Sequence, residues 1–439
     1  MPNQFTVSLW GDEAFSAVLS ANTIPELIKI IARDTSPPLY NITEHLWFSF
    51  FGNSEVAIRS LSFLYFLIAV FFTYKIGALL WDRRTGFLAG ILTFLNPFFF
   101  IYAFEGRMYS ILAVTVAASM YFFLSLRAGR KGAWVGYIVA TAAALYSHHF
   151  AVFAVFAQGL WFLKEFVVGN RKTAIKMLRA FAIIALLYAP WLIPLYNQTK
   201  MVGGGFWLST PTIKDLGVLI KDYLAEGVKH QLTQPVLCLV LIGLALRKWT
   251  KNIEKSLFLV SWFLLPILFT WFISQKFQSI FFNRYLLYTI PAAMLLLASN
   301  GKKFFGIIIA ILLPLLFIIN FSYFTHPTKK PFRELASYVK ETKRGDDFLI
   351  NWNAASHHLW ESKYYSIPAP LYIPEGDLPF YVGTAQMTEE DVIREIPKKI
   401  NRVGVITSGD IAEIELPYYT EIEAKTFGGL KFVWYQKTR

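Results

Sequence analysis

Long apolar stretches alternate with short polar breaks over most of the chain, and the stretches are too long and too evenly apolar for strands or for one-sided helices of a soluble core. A bilayer-crossing helix needs about 20 mostly apolar residues, with about 17 to 25 the usual range. About ten segments qualify, near 56–80, 85–104, 107–126, 132–147, 150–167, 178–196, 235–248, 256–274, 285–299 and 304–320. The fourth and seventh are short, and they cross only with flanking residues, a thinned bilayer or protein-lined surroundings. Ahead of the first span, residues 12–33 and 41–52 read as amphipathic helices lying along a surface.

Beyond about residue 320 charges become evenly scattered, and Pro, Gly and Asp punctuate short apolar runs. That pattern predicts a helix near 331–343, a strand at 347–352, a helix around Leu359, a helix near 388–399, a strand at 403–407 and a closing hairpin across Gly428 and Gly429. The expected architecture is a polytopic α-helical membrane protein in three parts. Residues 1–55 form a first outer loop with surface helices, 56–320 a transmembrane domain and 321–439 a small α/β domain.

Composition agrees with a lipid solvent: 55% hydrophobic, 17% aromatic and only 16% charged residues, with a mean hydropathy of +0.44. A net charge of +13 raises nucleic acid as a partner, but the cations sit in short runs between spans, so no nucleic acid is expected. Those runs give orientation instead. Arg83 and Arg84, then Arg127, Arg130 and Lys131, then Arg171, Lys172, Lys176 and Arg179, then Arg247, Lys248, Lys251 and Lys255, then Lys302 and Lys303 fall in alternate loops. Basic loops stay cytoplasmic. The opposite short loops hold only Arg107, Lys276 and Arg284, so the first 55 residues, the loop near 197–234 and the C-terminal domain are expected on the outer face. Cys238 stands alone inside an apolar run, which excludes an intrachain disulfide and a Cys-based zinc site. The opening "MPNQFTVSLWGDEAFS" has neither the basic start nor the apolar run of a cleavable signal peptide.

Five polar clusters interrupt this pattern. "WGDEAFS" sets Asp12 beside Glu13, where adjacent acids are often plain solvated charge, but Trp10 suits a position at headgroup depth. "RDTSPPLYN" places Asp34 ahead of a stiff Pro37–Pro38 pair, which also reads as a simple helix stop. "FEGRMYS" brings Glu105, Arg107 and Tyr109 between two spans, a place where a charged pair commonly marks a helix end. "LYSHHFA" holds His148 and His149 within apolar surroundings. Adjacent positions on a helix point about 100° apart, so the pair serves one site only if the helix breaks there. "FFNRYLLYTIP" puts Arg284 and Tyr285 at the start of a span, where Arg either snorkels or presents its fork of donors to phosphate oxygens. The Lys and Arg distribution alone places Asp12, Asp34, Glu105, His148 and Arg284 on one side, whereas scattered structural polars would divide between faces.

The carriers "LWGDEAFS", "DTSPPLYN", "EGRMYSIL", "YSHHF" and "NRYLLYTIP", in this order, resemble a known family. It is the multispanning GT-C glycosyltransferases of the family 39 group, related to protein O-mannosyltransferases and the aminoarabinose transferase of lipid A modification, with an RgtA/B/C/D-like domain. The resemblance runs over most of residues 8–300. It implies a GT-C-like fold in the plasma (inner) membrane with the site on the extracytoplasmic face. It also implies a polyprenyl-phosphate sugar donor, a lipid, glycan or protein acceptor, and transfer with inversion at the anomeric carbon. It places Asp12 and Glu105 as catalytic carboxylates and Arg284 at the donor phosphate; Glu13, Asp34, Arg107, Tyr109, His148, His149 and Tyr285, from the same clusters, are the further candidates for substrate binding. Phosphate is already a good leaving group, so no cofactor is required, and a divalent cation is compatible with the carboxylates. Members of the family have a span ahead of the acidic loop, whereas here "MPNQFTVS" precedes that motif. The rival expectation is a transporter or lipid flippase, which places ionisable residues near the bilayer midplane rather than at span ends.

Overall fold

The computed structural model describes residues 2–247, 249, 252–300, 305–352 and 357–438. Lys248, Lys251, Lys302 and Lys303 of the basic loops lie outside the described residues. The chain opens with α1 (Gly11–Ser20), α2 (Ile24–Ile31), α3 (Leu39–Phe51) and α4 (Glu55–Leu80). It continues through α5 (Arg83–Phe94), α6 (Pro97–Tyr102), α7 (Tyr109–Arg127), α8 (Ala133–Ser147) and α9 (Ala151–Val167). Next come α10 (Arg171–Tyr188), α11 (Leu192–Gly203), α12 (Ile213–Ala225), α13 (Thr233–Ala245) and α14 (Ile253–Lys276). The helical run ends with α15 (Asn283–Leu286), α16 (Ile290–Ala298) and α17 (Phe305–Thr325). After these follow α18 (Phe332–Thr342), β1 (Phe348–Trp352), α19 (His357–Tyr364), β2 (Leu371–Tyr372), β3 (Val392–Ile393), β4 (Arg402–Thr407), β5 (Tyr419–Phe427) and β6 (Leu430–Lys437).

Two compact units emerge, one of residues 35–40 and 59–325, the other of residues 1–34, 41–58 and 326–439. Residues 1–34 and 41–58 group with the C-terminal sheet domain, and residues 35–40 with the helical unit. Each expected span is helical, and five helices among the described residues are long and apolar enough to cross a membrane: Glu55–Leu80, Tyr109–Arg127, Arg171–Gly203, Ile253–Lys276 and Phe305–Thr325.

Two expected spans are broken. The one near 85–104 divides at Asn96, whose Oδ1 accepts from Phe99 N at 2.9 Å, and Pro97 then opens α6, where its missing N–H costs nothing. The one near 285–299 divides into α15, a 3-10 turn and α16, with Pro291 at the start of α16. Conversely, the span near 178–196 is longer than expected, since α10 and α11 run on across a 3-10 turn at Ala189–Trp191. The amphipathic stretch 12–33 is two helices, because Thr23 is extended and Pro25 starts a new one. At the interface of α7, α8 and α9 a buried polar ladder runs from Tyr137 Oη to Gln158 Oε1 (2.8 Å) and from Gln158 Nε2 to Ser119 Oγ (2.8 Å). Arg127 ties α7 to Glu165 and Glu254 at 2.6 Å each. Side-chain pairs of this kind join helices where lipid gives no hydrophobic preference between them.

The other unit is built on a six-stranded sheet in the order β3-β2-β1-β4-β6-β5, parallel from β3 to β4 and antiparallel beyond. Both faces are covered, which is why "FLINW" and "FVWY" are apolar without alternation. On one face α18 lays Phe332, Leu335 and Val339 over Leu349, Ile406, Phe432 and Trp434. On the other, Ile350, Val403, Val405 and Val433 pack together. The helix expected near 388–399 does not form. Thr388 N donates to Asp391 Oδ2 at 2.7 Å and closes one tight turn, the β-branched Val392 and Ile393 pair with β2, and Pro397 bars a helix beyond. Arg333 secures the N-terminal segment, donating to the Thr6 carbonyl at 2.6 Å and to Glu55 at 2.9 Å, while Phe15 meets Trp360 edge to face at 5.0 Å.

Gly404 lies where β4 passes between rings: a Cβ there would stand 2.5 Å from Phe432, 2.7 Å from Leu349 and 2.8 Å from Trp434. Gly404→Ala is expected to destabilise the sheet by about 1–3 kcal/mol. The check is the thermal melt of the full chain in detergent, followed by near-ultraviolet circular dichroism; an unchanged midpoint would mean that the sheet opens to admit the methyl group.

Candidate active site

Within the helical unit, the motifs "EGRMYS", "YSHHF" and "NRYLLY" come together although they lie far apart in sequence. The α8–α9 boundary falls at the expected break. α8 ends at Ser147, His148 is extended (φ −163°, ψ 142°), and α9 restarts at Ala151. His148 Nδ1 accepts from Phe150 N at 3.1 Å, and its ring lies 4.8 Å from that of Tyr285. The break turns the second imidazole elsewhere: His149 Nε2 meets Gln198 Oε1 at 2.8 Å, and the Tyr188 hydroxyl lies 3.4 Å from its Nδ1.

Both imidazoles sit between helices, and burial decides their charge. Burial, with the neighbouring His149 and Arg107 adding to it, holds His148 well below the usual histidine value. Burial lowers His149 to about 4 against a weaker opposing effect of its bond to Gln198. Both rings are therefore neutral at physiological pH and act as hydrogen-bonding groups rather than cations.

Gln198 extends this contact to a further motif. Its Nε2 donates to the Ser36 carbonyl at 3.3 Å, so the stiff Thr35–Tyr40 segment is seated on the His149 side of the helical unit. Asp34, at the edge of that segment, belongs to the other unit and lies in a bend, its backbone N–H donating to Ile31 O at 3.0 Å.

Arg284 is the cationic centre of the helical-unit cluster. Its guanidinium stands 4.6 Å from the centre of the Phe282 ring and 5.7 Å from that of Tyr109. Tyr285 lies 6.2 Å from Tyr109. Glu105 and Arg107 occupy the turn between α6 and α7, closed by Arg107 N donating to Glu105 O at 2.7 Å. Tyr102, just before that turn, stacks edge-on with Tyr109 at 5.3 Å and lies within electrostatic reach of Glu105, Arg284 and Asp222.

A relay fixes the arginine. Asn96 Nδ2 donates to Tyr223 O at 2.8 Å, the Tyr223 hydroxyl donates to Asn283 O, and Asn283 Oδ1 accepts from Arg284 N at 2.8 Å. Tyr102, Asp222, Tyr223 and Asn96 escaped the sequence reading. A carboxylate in an outer loop was the one signal available for Asp222; nothing local distinguishes the others.

Asp12 and Glu13 stand in the first turn of α1 in the sheet-containing unit. They differ in environment. Asp12 is partly exposed, whereas Glu13 is fully buried and paired with Lys329 at 3.0 Å, its carboxylate also accepting from Trp10 N at 3.4 Å. Removing one partner of such a pair costs about 3–5 kcal/mol, so Glu13 holds α1 in place. Among the described residues no group of three His, Cys, Asp or Glu side chains converges to hold a metal ion.

The fold has relatives of known structure. The chain superposes on ArnT from Cupriavidus metallidurans in the apo state with a TM-score of 0.67 at 12% identity, covering 98% of this chain and 94% of that one. The same protein bound to undecaprenyl phosphate gives a TM-score of 0.69 at 12% identity with the same coverage. AglB, the archaeal oligosaccharyltransferase of Archaeoglobus fulgidus in complex with an inhibitory peptide and a dolichol-phosphate, gives 0.54 at 12% identity over 92% of this chain and 66% of that one. Residues 35–193 match the family model for dolichyl-phosphate-mannose-protein mannosyltransferase. No curated protein matches the chain. The superpositions show the GT-C-like fold of a multispanning membrane protein, and the family-model match covers residues 35–193 of it. A small C-terminal sheet domain completes that fold.

Gln198→Ala removes the bridge between His149 and Ser36. Amide hydrogen exchange in residues 35–40 is expected to rise about tenfold, one hydrogen bond to the segment being worth roughly 1 kcal/mol or more. Exchange equal to wild type would show the segment to be held by other contacts.

Proposed function

We propose that the chain is a glycosyltransferase that moves a sugar from a polyprenyl-phosphate-linked donor to an acceptor on the extracytoplasmic face of the plasma membrane, with inversion at the anomeric carbon. One observation carries the reading: in a GT-C fold, three separated motifs converge around Arg284, an arginine set against the rings of Phe282 and Tyr109, with Tyr285 linking it to the buried, neutral His148. Such a setting suits one phosphate and little else. The guanidinium offers a fixed fork of donors to its oxygens, and water-poor surroundings strengthen the attraction.

In the proposed reaction an acceptor hydroxyl or amine attacks the anomeric carbon. A new carbon–oxygen or carbon–nitrogen bond forms, the bond to the phosphate oxygen breaks, and the electron pair leaves with polyprenyl phosphate. Arg284, aided by Arg107, neutralises the departing charge, commonly the largest single contribution in such sites. Asp12 takes the acceptor's proton, and Glu105 orients it. Tyr109, Tyr285, His148 and His149 shape the donor site as uncharged hydrogen-bonding and aromatic groups, Asp34 on the first loop contributes to substrate binding, and Glu13 supports Asp12 through the Lys329 pair. The chemistry needs no cofactor. The acceptor is a lipid, glycan or protein.

Purified full-length protein with undecaprenyl-phosphate-linked sugars and an envelope extract as acceptor source tests the roles. Arg284→Ala is expected to weaken donor use more than Arg284→Lys, which keeps the charge but loses the fork. Asp12→Asn should lower turnover by about 10² or more with donor binding retained. Wild-type transfer in all three variants would refute the mechanism. Orientation has its own check: a cysteine at Gly203 should react with an impermeant reagent added outside, and one at Arg130 should not, whereas equal labelling would overturn the assigned face.

A further inference from the structure

Beside Arg284 the helical unit carries an open cavity of about 250 Å³, bounded by α12, by the chain just ahead of it and by the segment leading into α15. Phe281, Phe282 and Val218 form its apolar side, and Ser209, Asp222 and Asn283 bring polar groups to it. Among the described residues no Lys, Arg or His lines it, so a phosphate finds no counter-charge in its wall.

The polar groups differ in how far they are engaged. Asp215, one carboxylate at the rim, is committed to its own helix: its Oδ2 accepts from Thr212 N at 2.7 Å and from Thr212 Oγ1 at 2.8 Å. Asp222 follows two turns later on the same face. It is half-buried, and among the described residues its carboxylate accepts no hydrogen bond. Burial, then the neighbouring Glu226, pushes its pKa up to about 6, the mark of a carboxylate short of solvation. Asn283 uses Oδ1 on Arg284 N, which leaves its amide nitrogen to donate. A single carboxylate beside a hydroxyl and an amide donor suits several hydroxyl groups better than a compact ammonium, for which the committed Asp215 is no second partner. The two phenylalanine side chains add apolar surface.

The geometry points to this cavity as the acceptor seat, taking an uncharged hydroxyl-rich sugar ring whose hydroxyls donate to Asp222 and whose C–H face packs on Phe281 and Phe282. This inference rests on the glycosyltransferase reading and adds to it the class of acceptor, a glycan. The volume lies just under the roughly 300–1,000 Å³ of ordinary small-molecule sites, which fits one ring with the rest of the acceptor outside. Position supports it as well. Phe282 also carries the Arg284 guanidinium, and Asn283 precedes that arginine, so a sugar here lies next to the proposed phosphate.

Saturation-transfer NMR on the full chain in nanodiscs tests the assignment, with methyl α-mannopyranoside, ethanolamine and inorganic phosphate as separate probes. Binding of undecaprenyl phosphate is measured in parallel. Val218→Trp fills the cavity from a position 43% exposed, so the core is not disturbed, and Asp222→Ala removes the acceptor group. The expected result is a signal from the glycoside alone, reduced at least fivefold in both variants, with lipid-phosphate binding unchanged. Saturation of ethanolamine or phosphate in place of the glycoside, a glycoside signal indifferent to both substitutions, or no signal from any probe would each overturn the assignment. Absence of undecaprenyl phosphate binding in the wild type would instead strike the glycosyltransferase reading and leave a sugar-binding cavity standing.

Discussion

A backbone that leaves the helix inside a membrane protein must have its freed polar groups satisfied by the protein itself, and one hydrogen-bond relay does this for the centre of the helical unit. Asn96 caps α6 with one side-chain atom and holds the Tyr223 carbonyl with another; Tyr223 reaches the Asn283 carbonyl, and Asn283 caps the backbone of Arg284. Three elements distant in sequence are locked by four bonds. Asn96 is almost fully buried, so an apolar replacement would leave two backbone groups, Phe99 N and Tyr223 O, unsatisfied, each at a cost of about 1–3 kcal/mol.

From that relay the character of the site follows. With Arg284 fixed, Phe282 and Tyr109 border its guanidinium, Tyr285 bridges to His148, and the broken α8–α9 boundary sends His149 to Gln198 and the Ser36 carbonyl. The charge there is carried by arginine and by Glu105, since burial keeps both imidazoles neutral. Fixed charge in aromatic, water-poor surroundings requires little reorganisation when a charged group arrives. The same rigidity positions Asp222, because Tyr223 beside it is bonded at both its carbonyl and its hydroxyl.

Much of this was legible in the sequence where the cause is local. The span positions follow from apolar length, the break at His148 from the need to turn at the one polar point in a long apolar run, and the sheet strands from β-branched and aromatic runs bounded by Gly and Pro. The failures have equally definite causes. Residues 388–399 carry a helix-like pattern, but pairing of Val392 and Ile393 with a two-residue strand overrides it. Glu13 was expected to point away from Asp12 as a substrate-binding residue, and one residue of helical rotation, about 100°, buries it against Lys329.

The sequence by itself therefore determined the solvent of this protein, the order of its apolar segments, and the residue types gathered in five motifs, because those depend on composition and period along the chain. Tertiary structure alone decided which polar residues meet: that Asn96 reaches Tyr223, that Gln198 joins His149 to Ser36, and that Asp222 faces a cavity beside Arg284. These are contacts across 100 or more positions in some cases and about 50 in others, and no local propensity encodes them. They exist because helices packed at fixed distances bring particular side chains within the roughly 3 Å at which a buried donor finds its acceptor.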